Sequence, residues 1–284
     1  MPTAVPEQGF DCTLDTRICP LSILEHETSS KSREYAIFKR AFASFPDLDA
    51  FGVISGAFER KSGVSIAEFA DFVTAHLTET TQCIAINPML GNEAIYRNCL
   101  DQAVATNHKG FHHVQNALAL LFGHARAVDG LLPVGSMFFC NYFVATRAWW
   151  GQFFKFVDSV VASLDALADA ELNLALNGPA GYVKNRNLIG RIFLEERLFS
   201  VYLDWRNQRG LSNSLKVFER YEERLKKKYP PTIAEWLISI LQLKQAGLQS
   251  QDHLKAWHST TKNLDPRLLW LIWQLDDPPE LPNR

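Results

Sequence analysis

The 284-residue chain contains no run of 18 apolar residues, which is about the length that a membrane-spanning helix needs. Its first residues also lack the pattern of a secretory signal, a basic region followed by an apolar stretch. Lysine and arginine number 29 against 31 acidic residues, so no positive excess points to a nucleic-acid partner. We therefore expect a cytoplasmic protein that neither spans a membrane nor binds nucleic acid.

The five cysteines form no Cys-x-x-Cys pair, and an odd number is not typical of a disulfide framework. Cys83 and Cys140 lie in apolar stretches, where cysteine usually acts as a small hydrophobic residue, so we expect a reducing compartment. Three common signatures are also missing: the Gly-x-Ser-x-Gly nucleophile turn, the Walker phosphate loop and the Gly-x-Gly-x-x-Gly dinucleotide fingerprint.

What the chain does contain is an aromatic stretch over Met137–Asp158. Phe138–Ala145 is almost continuously apolar and too short for a confident helix, which predicts a buried strand. After Thr146, an N-cap residue type, large apolar residues recur at spacings of three and four. A buried strand that leads into an amphipathic helix is half of an α/β unit.

Shorter patterns of the same two kinds continue along the chain. They predict strands near residue 18 and over 51–54 and 83–86, helices over 31–45, 65–77, 111–128 and 188–207, and loops over 55–63 and 177–181. This alternation predicts an α/β domain over residues 1–209. Helical patterns over 212–228, 232–246 and 266–275 predict a helical C-terminal extension over 210–284.

Asn141 is the one polar side chain in the apolar stretch. A buried amide without partners costs about 1–3 kcal/mol, so it must bond either to neighbouring backbone or to a ligand. The second interpretation has support from α/β proteins, where ligands lie at the ends of strands.

Two groups of residues could bind a metal. His108, His112, His113 and His124 are close in sequence, but residues 109–111 lack the glutamate of a zincin motif, which favours an ordinary polar helix entrance. Asp47 and Asp49 form an Asp-x-Asp pair that could hold a divalent cation. They follow a proline and precede their strand, which favours a turn.

Glu195, Glu196 and Arg197 lie together on the predicted helix over 188–207. One interpretation pairs Glu195 with Arg197 or Arg191 at the surface, where ion pairs contribute little. The other places a carboxylate half-buried among aromatic side chains, with a raised pKa and the role of general base.

Several segments together resemble bacterial glycosyltransferases of the GT-A-like kind that assemble surface polysaccharides. The resemblance covers roughly residues 35–205, and its motifs are aromatic strands and a Glu-Arg-Leu-Phe helix. It rests on Phe51–Gly63 with the capped helix after it, Cys83–Pro88, the Phe-x-Asn-Tyr-Phe-Val-Ala strand with its aromatic helix, and Phe193-Leu-Glu-Glu-Arg-Leu-Phe-Ser-Val-Tyr202. It implies a GT-A-like (Rossmann-like) mixed sheet flanked by helices, a nucleotide-sugar donor at the strand ends and a saccharide acceptor facing the Glu-Arg helix.

The resemblance also implies roles for individual residues. Asn141 and Tyr142 would lie near the sugar, and Glu195 or Glu196 would be the base for the acceptor hydroxyl. The departing diphosphate would be stabilised by cations. The candidates for that role are Arg60, Lys61 and Arg197, although the polar, glycine-bounded segment around Arg60 and Lys61 favours solvated loop residues.

A divalent cation, Mn²⁺ or Mg²⁺, is implied as well. Asn87 stands where such enzymes often have the first aspartate of the metal-binding Asp-x-Asp, and an amide is a weaker ligand than a carboxylate. The alternative to an enzyme is a non-catalytic interaction or scaffold protein with a degenerate nucleotide-sugar fold. Its tail tryptophans would bind a partner or lie in the core: Trp236, Trp257, Trp270 and Trp273.

Overall fold

The computed structural model describes residue 21 and residues 33–106, 109–123, 125–180 and 188–277, which form a mixed four-stranded sheet flanked by helices. In chain order the elements are α1 (Arg33–Ser44), β1 (Ala50–Gly52), α2 (Phe58–Ser62), α3 (Ile66–His76), β2 (Cys83–Ala85), α4 (Leu90–Ile95), α5 (Cys99–Ala105), α6 (Phe111–Phe122), β3 (Phe143–Thr146), α7 (Arg147–Ala166), α8 (Ala170–Asn177), α9 (Gly190–Gln208), β4 (Leu215–Val217), α10 (Tyr221–Lys228), α11 (Pro231–Gly247), α12 (Gln251–Lys262) and α13 (Pro266–Asp276). The predicted α/β class is confirmed.

The strands lie in the order β1-β3-β2-β4. Strand β3 is antiparallel to both of its neighbours, and Ala145 faces Phe51 on one side and Cys83 on the other. Strands β2 and β4 are parallel, with Ala85 opposite Val217. It follows that β1, β2 and β4 run in one direction and that only β3 runs against them.

The predicted unit of β3 and α7 is confirmed and forms the centre of the main core. Thr146 caps the helix, because its Oγ1 accepts a hydrogen bond from the amide of Trp149 at 3.4 Å. Phe143 lies on the sheet beneath the first helical turn, and its ring centroid is 4.5 Å from that of Trp150. Both side chains are completely buried, which ties the strand to the helix by apolar burial.

Strand β3 begins five residues later than the apolar pattern predicts. Cys140 and Asn141 have φ angles of 66° and 50°, and this left-handed conformation cannot continue a strand. A hydrogen bond of 3.0 Å from the Phe143 amide to the Asn141 carbonyl closes the turn. Phe138 and Phe139 are buried nevertheless, so the apolar run reports burial but not backbone conformation.

Other predictions need correction. The predicted helix over 212–228 is wrong in its first half, where Leu215–Val217 forms β4, and the predicted loop over 55–63 contains α2. The predicted helix over 111–128 ends at Phe122, because Gly123 has a φ of 66°. Helices α5, α8 and α12 were not predicted. The predicted strand near residue 18, and His108 and His124, fall outside the described residues.

The sheet crosses the predicted domain boundary at residue 210, because β4 lies beyond it. The C-terminal helices pack against α4, where Trp257 is buried and its indole donates to the Ala94 carbonyl at 2.9 Å. Trp236 and Trp273 are partly buried, and Trp270 is exposed. None of the helices in the described ranges has the length and apolar character needed to span a bilayer.

Candidate functional site

The carboxyl ends of β1, β2 and β4 lie at the same end of the sheet as the amino end of β3. We call this the carboxyl edge of the sheet. The register places Gly52 opposite Val144 and Ala85 opposite both Phe143 and Val217. The segments that follow β1 and precede β3 therefore meet at this edge. Ligands of open α/β sheets lie outside the carboxyl ends of strands, so this is the edge at which a site is expected.

Five side chains from four parts of the chain meet there, and we call them the Lys61 cluster: Arg60, Lys61, Cys140, Glu196 and Asp277. The Lys61 ammonium lies 3.8 Å from the Cys140 sulfur and 3.1 Å from Asp277 Oδ1. Arg60 Nη1 lies 3.8 Å from the same aspartate oxygen. Asn141 belongs to the turn that Cys140 begins.

The two cations are held by the local structure of α2. Phe58 is completely buried, and its ring centroid lies 5.1 Å from that of Tyr142. The helix ends at Gly63 with a φ of 71°, a conformation that glycine adopts without steric cost. Lys228 then donates a hydrogen bond of 2.7 Å to the carbonyl of Lys61. Arg60 and Lys61 are thus fixed on an ordered helical turn.

Asn141 is 4% exposed, and its Oδ1 atom has no hydrogen-bond partner among the described residues. Arg60 Nη1 is likewise buried without a hydrogen bond. Both atoms are exceptions to the rule that buried polar groups are hydrogen-bonded. The neighbouring Tyr142 is satisfied, because its hydroxyl lies 2.6 Å from the Ser55 hydroxyl.

Cys140 is partly buried, in the left-handed conformation described above. Burial raises the pKa of its thiol to about 12 and outweighs the attraction of Lys61, which lowers it. The thiol is therefore protonated at neutral pH and is a poor nucleophile.

The two candidate bases differ in their surroundings. Burial raises the pKa of Glu196, while Arg197 at 4.0 Å and Lys61 oppose that rise. Glu195 is 4% exposed, and after burial and Asp158 its negative charge is the last contribution to a raised pKa of Tyr35. Glu196 therefore belongs electrostatically to the Lys61 cluster, and it combines a raised pKa with partial exposure, as a general base requires.

Two residues expected to bind substrate have internal roles. Arg197 is buried and donates to the carbonyls of Cys99 and Phe193 and to Gln102 Oε1, at 3.0, 2.8 and 2.6 Å. Asn87 is completely buried, donates to Glu93 at 2.8 Å and accepts from the amide of Met89 at 2.9 Å. Every nitrogen of the Arg197 guanidinium and both amide atoms of Asn87 therefore bond inside the protein.

Arg191 pairs with Asp165, whereas one interpretation of the sequence expects it to pair with Glu195. Its guanidinium binds Asp165 at 2.5 and 3.2 Å. Arg197 comes no nearer to Glu196 than 4.0 Å, so neither arginine neutralises the base by a close bidentate contact.

Among the described residues, those named for a metal do not fit one. Asp47 and Asp49 are exposed and precede β1, which puts them at the opposite edge of the sheet from Asn141. Both amide atoms of Asn87 bond inside the protein, and His113, 4.0 Å from Glu171, has no third ligand in the part of the chain that the structure describes. Within the described ranges, no group of three histidine, cysteine or acidic side chains could hold an ion.

A separate groove of about 510 Å³ lies on the outer face of α6, α7 and α9. Tyr202, Trp205 and Arg206 contribute to its lining. None of its lining residues belongs to the Lys61 cluster.

Sequence reasoning missed two members of the cluster. The apolar pattern predicts a small hydrophobic residue at Cys140, and Asp277 belongs to no motif. No signal in the sequence links Asp277 to Lys61, because 216 positions separate them. Comparison of the chain with protein-family models, curated proteins and solved structures gives no match.

Proposed function

We propose that the protein is a glycosyltransferase that moves a sugar from a nucleotide-sugar donor to a saccharide acceptor in the cytoplasm, for the assembly of a surface polysaccharide. The observation that carries the proposal is the Lys61 cluster. It joins two cations and a carboxyl group of raised pKa at the carboxyl ends of the strands. The residue after Cys140, Asn141, adds a buried amide oxygen that has no hydrogen bond among the described residues. We further propose that this mixed sheet corresponds to the GT-A-like sheet that the sequence resembles.

In this proposal Arg60 and Lys61 bind the diphosphate of the donor. Among the described residues the buried Arg60 Nη1 donates no hydrogen bond, and a phosphate oxygen could accept one from it. Lys61 adds a second positive charge on the same short helix. Fixed cations stabilise the negative charge that develops on a departing diphosphate, and their rigidity avoids reorganisation during the reaction.

Asn141 binds a hydroxyl of the transferred sugar. Its Oδ1 atom needs a hydrogen-bond donor, and sugar hydroxyls are donors. The strained backbone at Cys140 and Asn141 supports the assignment, because left-handed non-glycine residues cluster at ligand-binding sites.

Glu196 acts as the base that removes the proton of the acceptor hydroxyl. Burial holds the pKa of its carboxyl above the ordinary glutamate value, which makes the carboxylate a stronger proton acceptor. Because the residues implied for Mn²⁺ or Mg²⁺ do not fit a cation, no step of the proposal uses one.

A thermal-shift panel of nucleotide sugars and nucleoside diphosphates tests the proposal. A ligand at 100 times its dissociation constant adds about 2.7 kcal/mol to the free energy of unfolding. We expect one nucleotide to stabilise the wild-type protein and Lys61→Met to reduce that shift strongly. Lys226→Met removes a charge from a lysine whose side chain is 60% exposed on α10 and should retain the wild-type shift.

The same panel decides against the proposal in two ways. An absence of any shift would favour the scaffold alternative. A shift that Lys61→Met leaves unchanged would move the nucleotide away from the Lys61 cluster.

A further inference from the structure

The carboxylate of Asp277 occupies the space between the two cations of α2. Its Oδ1 atom lies 3.1 Å from the Lys61 ammonium and 3.8 Å from Arg60 Nη1. All three side chains are largely shielded from water, with exposed fractions of 19%, 29% and 26% for Lys61, Arg60 and Asp277. An internal acid thus lies where the proposed function puts the diphosphate of the donor.

The preceding residue fixes the position of this acid. Asp276 is completely buried and accepts hydrogen bonds from the amides of Gly91 and Asn92 at 3.4 and 2.8 Å. It also binds the Tyr229 hydroxyl and the Lys228 ammonium. Asp277 follows directly, and its amide donates a hydrogen bond of 2.9 Å to the Trp273 carbonyl. The end of α13 thus holds the Asp277 side chain beside the two cations.

Asp277 satisfies this site only in part. At 3.8 Å its oxygen is too distant for a hydrogen bond to Arg60 Nη1, which has no other partner among the described residues. A carboxylate brings one negative charge and two oxygens, whereas a diphosphate brings more of both. A diphosphate could therefore bond to Arg60 and Lys61 at once.

We propose that Asp277 is a built-in competitor of the anion site, and that a diphosphate-bearing substrate binds Arg60 and Lys61 by displacing its carboxylate. This inference rests on the proposed function and adds a regulatory element to it. Any change that holds or releases the end of α13 would then alter the affinity for donor.

Isothermal titration of the full-length protein with inorganic pyrophosphate at low salt tests the inference. We expect Asp277→Asn to bind pyrophosphate about tenfold more tightly than wild type, which corresponds to about 1.4 kcal/mol. Asp252→Asn makes the same charge change on α12, where the side chain is 95% exposed, and should bind as wild type does. Adding Lys61→Met to Asp277→Asn should abolish the gain.

The inference would be wrong if Asp277→Asn bound pyrophosphate with the same affinity as wild type, or more weakly. It would also be wrong if neither protein bound pyrophosphate at about 10 mM, a concentration above which binding would be too weak for a useful site. Weaker binding would mean that Asp277 organises the cations instead of competing for them. Tighter pyrophosphate binding without any sugar transfer would keep the inference and refute only the glycosyltransferase.

Discussion

Replacing Asp276 with alanine is expected to lower the free energy of unfolding by about 3–5 kcal/mol, the usual cost of removing one partner of a buried ion pair. The Lys228 ammonium is 9% exposed and lies 3.2 Å from Asp276 Oδ1, and burial already lowers the pKa of this lysine. Without the carboxylate, Lys228 loses its counter-charge, and Tyr229 and Asn92 lose an acceptor. Equilibrium denaturation in urea measures the change.

Two further variants serve as comparisons: Asp276→Asn at the same position, and Asp252→Ala at an exposed one. The amide has the size of the native side chain and keeps one acceptor oxygen, so we expect a smaller loss than with alanine. Asp252 is exposed, and its replacement should change stability by no more than about 0.5 kcal/mol. A loss below about 1 kcal/mol for Asp276→Ala would mean that the C-terminal helices do not depend on this contact.

The β3–α7 unit could be predicted because its signals are local. The Thr146 cap and the spacing of Trp150, Phe153 and Phe154 lie within a few residues of one another. Strand β4 could not be predicted in the same way, since Leu215–Val217 is a strand only because β2 lies beside it. The turn at Cys140 and Asn141 was hidden for a related reason, because an apolar run indicates burial and not the sign of φ.

The residues of the candidate site also fall into two groups, those that local sequence indicates and those that only tertiary packing brings together. Asn141 and Glu196 could be singled out because a polar or acidic residue among aromatic ones is visible in the sequence. Cys140 and Asp277 could not be, since Cys140 lies in an apolar run and Asp277 reaches Lys61 only through the packing of α13 against α4. Asn87 and Arg197 show the converse: each looks functional in sequence, but its hydrogen bonds are taken up inside the protein.

Replacing Glu196 with glutamine is expected to reduce sugar transfer by about 10²–10⁴-fold, the usual contribution of a general base. The amide keeps the size of the side chain but cannot accept the hydroxyl proton. Product formation with the nucleotide sugar chosen by thermal shift, and a panel of saccharide acceptors, measures the loss. Glu195→Gln on the same helix is the matched control and should retain transfer within a few-fold.

The pH dependence of wild-type transfer follows from the same carboxyl. Since only the deprotonated form is a base, kcat/KM should fall as the pH decreases through the pKa of Glu196. Burial raises that pKa, so the fall should begin at a higher pH than the ordinary glutamate value of about 4.3 predicts. The Glu196→Gln variant should lose this acid limb while it still binds the donor nucleotide. Full activity in Glu196→Gln, or an acid limb that this variant retains, would exclude Glu196 as the base. If Glu195→Gln were also fully active, neither glutamate on α9 would be the base.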